Sequence, residues 1–219
     1  MNRMWSFLLI AIFVALNGMA APPPNFFKQG MDHYNAGEYD AAIASFQKVV
    51  DAPKPGPQAQ GAQSSSKKAD ALYYIGMCLM KKGNPGGAIA NFTKSLNARP
   101  EYIQALAARG SAYVETKNFE GAIADLNAVL EAQPDNLEAN YQIANAYSYQ
   151  AKYAEAIQYY NKTLQLKPDH AYAHYWVGLA YYKTKDFKKT IDHFEKFLEL
   201  APDAPEAPQV KAILAQVQG

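Results

Sequence analysis

The chain has 219 residues, 49% of them hydrophobic and 19% charged, and its 21 basic side chains against 20 acidic ones leave a formal charge of +1. Its lysines cluster only in pairs such as Lys67 with Lys68, Lys81 with Lys82 and Lys188 with Lys189, which excludes the concentrated positive surface that a phosphate backbone requires, so nucleic acid is not an expected partner. The single cysteine, Cys78, excludes an internal disulfide and reads as a small buried residue.

The first element is an apolar run from Trp5 to Leu16, preceded by Arg3 and followed by Asn17, Gly18, Met19 and Ala20. This pattern predicts a secretory signal peptide over residues 1–20 cleaved after Ala20, since the run is shorter than the roughly 20 residues that cross a bilayer. The expected location is periplasmic or secreted. The alternative is an uncleaved segment anchored in the inner membrane, with the rest of the chain facing the periplasm.

Residues 23–56 follow as a divergent helical unit, in which Gly30, Ala42, Ile43 and Phe46 keep a spacing that recurs downstream while Gln29 and His33 replace apolar positions. Residues 57–68 carry no side chain apt to enter a core and read as a flexible linker, with Lys67 and Lys68 the expected first sites of proteolysis. Four units then run over 69–102, 103–136, 137–170 and 171–204. Ile89, Ile123, Ile157 and Ile191 are spaced by 34 residues, and Pro100, Pro134, Pro168 and Pro202 close the units. Within each unit, positions 4, 8 and 11 lie on one helical face and positions 20, 21, 24 and 28 on another, with a polar turn between them. Each unit is therefore a helical hairpin whose apolar stripes are buried only by stacking on neighbours. Gly76, Gly110 and Gly178 return at position 8, where a glycine inside a helix implies a close approach; position 20, usually Ala, is the expected partner. After Pro202, the stripe Val210, Ile213, Leu214 and Val217 predicts a single capping helix within 205–219.

The 34-residue pattern of small, aromatic and closing proline residues resembles the tetratricopeptide repeat. The resemblance is strong over 69–204 and weak over 23–56. It implies an all-α, right-handed solenoid of stacked hairpins whose first helices line a concave groove. It also implies a non-catalytic scaffold or adaptor that binds a peptide or partner protein there, without a cofactor. A structural component of a polysaccharide-export or secretion machine, with a glycan in the groove, is the alternative. Carried onto this sequence, the groove residues are Tyr73, Met77, Tyr141, Asn145, Tyr149, Tyr172, Tyr175 and Tyr182. Two readings of Tyr141, Tyr175 and Tyr182 stay open: rings exposed on one continuous surface for a ligand, or rings packed between helices. The Lys and Asn residues that clamp the acidic tails of cytosolic chaperones in some relatives are replaced here by Tyr73, Met77, Glu138 and Gln142.

Catalytic and metal signals are sparse. His170 and His174 are four apart in the segment HAYAH, which lacks the Glu of a zinc peptidase motif. No metal site is expected, and His33 and His193 have no convergent partner in the sequence. One charge stands out: Arg109 occupies position 7, where neighbouring units have Ile75, Ile143 and Val177. Asp125 is the expected partner in a structural ion pair, because a guanidinium facing a hairpin interior needs a counter-charge.

Overall fold

The computed structural model describes residues 25–53 and 62–218. The expected signal segment and residues 57–61 of the linker lie outside them. Regular structure among the described residues is entirely helical: α1 (Phe26–Asn35), α2 (Tyr39–Val50), α3 (Ala62–Lys81), α4 (Pro85–Ala98), α5 (Ile103–Glu115), α6 (Phe119–Ala132), α7 (Leu137–Tyr149), α8 (Tyr153–Leu166), α9 (Ala171–Lys183), α10 (Phe187–Leu200) and α11 (Ala207–Gln218). Each helix packs on the next, and the first helices α3, α5, α7 and α9 also touch one another in succession. That second set of contacts places the first helices on the inner side of a solenoid.

The period is written into the turns as well as the stripes. Asn84, Asn118 and Asp186 each accept a hydrogen bond from the amide three residues on, at 2.9, 3.1 and 3.2 Å, satisfying one of the unpaired amides at a helix start. The residues before these caps, Gly83, Lys117 and Lys185, take a positive φ, as does Ala151 before the uncapped Lys152, all between 56° and 69°. A left-handed residue ends each first helix and reverses the chain within a few residues.

At the glycines of position 8 the nearest side chain is that of position 24 rather than position 20. A Cβ on Gly30, Gly110 or Gly178 would lie 2.6, 2.7 and 2.6 Å from Phe46, Leu126 and Phe194, and one on Gly76 would overlap Phe92. The partner is thus the large side chain at position 24, whose flat face lies directly on the first helix. In the one unit with Ala144 at this place, the facing residue is Tyr160, fully buried with its hydroxyl 2.7 Å from Asn145 Oδ1. Gly178→Ala must displace a Phe194 ring that has no exposure, and overpacking of this kind typically costs about 1–3 kcal/mol. A lowered urea midpoint is the expected result, and an unchanged one would show that the ring swings aside freely.

The linker boundary also moves. Residues 62–68 are the first turns of α3 rather than part of a flexible segment. Ala69 is fully buried and its carbonyl accepts from Ser95 Oγ at 2.7 Å, while Ser66 Oγ accepts from Arg99 at 3.0 Å. Once the helix is nucleated by its packed half, each added residue gains a backbone hydrogen bond without needing a core of its own. Lys67 and Lys68, being helical, are not favoured protease sites. The divergent first hairpin stacks directly on α3, where Phe46 lies against Tyr74 with ring centroids 5.4 Å apart. Cys78 has no exposure, and burial pushes its thiol up to about 11, leaving it protonated and unreactive at neutral pH.

The C-terminal helix keeps the repeat register. Tyr172 donates to Glu206 at 3.2 Å and Tyr182 to Gln216 at 3.3 Å, both across a separation of 34 residues. Helix α11 therefore takes the place of a first helix in the next unit. Val210 and Leu214 bury against Tyr175, Phe194 and Phe197, and the opposite side exposes Pro208, Lys211, Ala212 and Ala215.

Candidate functional site

The eight groove residues divide into three groups according to what surrounds them. Tyr73 and Met77 are half-buried in α3, with Tyr73 wedged among Tyr74, Tyr102 and Phe92 at 5.1, 5.2 and 5.9 Å. Tyr141 in α7 leans on His170 at 4.8 Å and Tyr160 at 6.1 Å, and burial pushes its phenol up to about 12. Asn145 is occupied by the Tyr160 hydroxyl. These four shape the wall of the groove.

Tyr172 and Tyr182 are the second group. Tyr172 is exposed and Tyr182 half-buried; Glu206, in the turn before α11, accepts from the first hydroxyl, and Gln216 of α11 from the second. Tyr175 does not belong to a ligand surface. It is 6% exposed and sits among Trp176, Phe197 and Phe194 at 5.0, 5.2 and 6.4 Å, with Val210 and Leu214 closing over it. For this ring, packing is the reading that holds. Its presence in the expected groove set is corrected by the bulk of its neighbours.

Tyr149 is the third case. At the end of α7 it is 60% exposed, stacked on Phe119 at 5.6 Å and 15°, with Trp176 6.2 Å away. These three rings come from successive units, and the half-buried Phe119 and Trp176 lie outside the groove positions. Phe119 is the first residue of a second helix; it reaches Tyr149 because the hairpin turn brings it beside the end of the next first helix.

The ion pair is bidentate. Arg109 donates to Asp125 from Nε at 2.7 Å and from Nη2 at 2.8 Å, and the side chains are only 18% and 10% exposed. Its remaining nitrogen, Nη1, donates to Thr93 Oγ1 at 3.0 Å. The arginine thus joins α5 to α6 within its unit and to α4 in the unit before.

Chemistry of other kinds is thin among the described residues, where no three His, Cys, Asp or Glu side chains converge as metal ligands. His170 caps α9, its Nδ1 accepting from the Ala173 amide at 3.1 Å. His193, expected to stand alone, instead meets His174, with the two Nδ1 atoms 2.9 Å apart. Burial first and His174 second pull the His193 imidazole down to about 4. Position 23, which holds both Asp125 and His193, faces the first helix of its own unit; that register was the available signal.

Comparison with known proteins agrees with this architecture. A profile described as tetratricopeptide repeat matches residues 27–103 and 141–205, more than half of the chain, and a second of the same description matches 79–146. No curated protein matches. Among solved structures, a crystal structure of MamA protein superposes with a TM-score of 0.70 at 24% identity, covering 81% of this chain and 90% of that one. A MamA fragment from Desulfovibrio magneticus RS-1 gives 0.69 at 22%, covering 82% and 95%. Another MamA crystal structure gives 0.68 at 23%, covering 84% and 97%. At these identities the likeness is one of fold.

Proposed function

The chain belongs to the tetratricopeptide repeat family, and from that premise we propose that it is a non-catalytic adaptor of the bacterial cell envelope that grips an extended peptide segment of a partner protein along the face of its first helices. As a member of this family it is a protein-interaction scaffold. The cluster formed by Phe119, Tyr149 and Trp176 carries the finer reading. An aromatic ring left 60% exposed beside two others offers wide apolar contact with few rotors to freeze, a property that suits Tyr and Trp as anchors of interfaces. Envelope location rests on the apolar run Trp5–Leu16 and the small residues Gly18 and Ala20. No helix among the described residues is long and apolar enough to cross a membrane.

Affinity capture from envelope extract, run in parallel with the parent and with Tyr149→Ala, tests both parts. A protein held by the parent and released by the variant is the expected result. Loss of an anchor of this type costs about 2 kcal/mol or more, which is roughly thirtyfold in Kd. Equal recovery by both would remove the aromatic cluster from the binding site, and enrichment of polysaccharide in place of protein would favour a glycan ligand. N-terminal sequencing of the periplasmic fraction should begin at Ala21; recovery only from the cytoplasm would overturn the envelope assignment.

A further inference from the structure

We propose that His174 and His193 form a two-imidazole site for a divalent transition metal, with Cu2+ the best-matched ion, tying α9 to α10 in the last complete unit. The sequence places these residues on different helices, and the hairpin brings their Nδ1 atoms to 2.9 Å. The Nε2 atom of His174 lies 2.9 Å from the carbonyl oxygen of Pro168. A carbonyl only accepts, so Nε2 carries the hydrogen and the lone pair of His174 is on Nδ1. This is the arrangement by which metal-ligating imidazoles are oriented: the distal N–H is held by a backbone carbonyl and the proximal nitrogen is left free. In the metal-free pair, His193 Nδ1–H donates to that lone pair. On binding, His193 would carry its hydrogen on Nε2, and the ion would bond to both Nδ1 atoms from a point off the line that joins them.

With metal–nitrogen bonds of about 2.0–2.1 Å, two nitrogens 2.9 Å apart are close enough to share one ion. Tetragonal N,O sites suit Cu2+ or Ni2+, and Cu2+ binds more tightly to a given set of donors. The rings open onto a cleft of about 380 Å³ lined also by Asn161, Leu164, Gln165 and Pro168, which leaves room for water molecules to complete the coordination. The nearby cation Lys189 is paired with Asp186 at 3.1 Å, so its repulsion of a bound ion is reduced.

Titration of the full chain with Cu2+, read by calorimetry and by electron paramagnetic resonance, tests the site. The expected result is one saturable equivalent whose spectrum shows coupling to two nitrogens, with affinity lowered more than tenfold in His174→Gln and in His193→Gln and unchanged in His33→Gln. Circular dichroism of each variant establishes that the helices are intact. The spectrum of the parent protein stands even if a variant fails to fold. Absence of saturable binding, a spectrum with fewer than two coupled nitrogens, or full affinity in either folded Gln variant would overturn the proposal.

Discussion

Tyr175→Ala is expected to lower the free energy of unfolding by about 3–5 kcal/mol, the range for removing a large aromatic from a packed core. The ring is 6% exposed and contacts residues of three helices: Trp176 on its own, Phe194 and Phe197 on α10, and Val210 and Leu214 on α11. Truncation leaves a cavity at the seat of the closing helix, so α11 should loosen before the rest of the stack does. Hydrogen exchange should show lost protection at residues 207–218 together with a reduced melting temperature. Affinity for a groove ligand, measured well below the transition, should stay within a few-fold of the parent. An unaltered melting temperature combined with lost binding would return Tyr175 to the ligand surface.

The same position in the preceding unit, Tyr141, has a different fate, and repeat arithmetic explains it. Around Tyr175 stand Phe194, Phe197 and Leu214; one period earlier the corresponding residues are Tyr160, Thr163 and Ala180. Smaller neighbours leave Tyr141 half-buried, whereas the larger set closes over Tyr175. The hairpins, their stacking and the closing helix were legible because a 34-residue period repeats each helical stripe four times, so chance deviations at single positions do not hide it. What a face meets was less legible. Spacing shows that Gly178 points inward, but not that the Phe194 ring, rather than the position-20 side chain Thr190, reaches it. Residues 62–68 show the same limit from the other side. Their lack of apolar bulk reads as a loop, yet a helix already anchored at Ala69 extends through them by backbone hydrogen bonding alone. The aromatic cluster fell outside the groove positions because Phe119 belongs to a second helix, and only the turn geometry brings it to Tyr149. His193 shares position 23 with Asp125, and at that position each side chain meets the first helix of its own unit: Asp125 meets Arg109, and His193 meets His174.

Asp125→Ala is expected to cost about 3 kcal/mol, the lower end of the range for breaking a buried ion pair, because Arg109 retains 18% exposure through which water can partly solvate it. The loss comes mainly from the arginine left behind. Asp125 accepts two hydrogen bonds from the guanidinium, and the remaining contact, to Thr93, supplies no charge. Replacing both partners by apolar residues of similar volume, Arg109→Met with Asp125→Leu, should restore most of the stability, since it removes the stranded charge along with its partner. Urea denaturation of the parent, the two single variants and the double variant forms a closed cycle, and the expected coupling between the two sites exceeds about 1.5 kcal/mol. Simple additivity would mean that the pair is solvated and structurally idle. Arg109 reaches α4 as well as α6, so the single Asp125 variant should also weaken the contact between units. A two-state transition in the parent should then broaden in Asp125→Ala, as the N-terminal and C-terminal parts of the stack begin to unfold separately, which is the behaviour of a linear array whose nearest-neighbour interface has been weakened at one point.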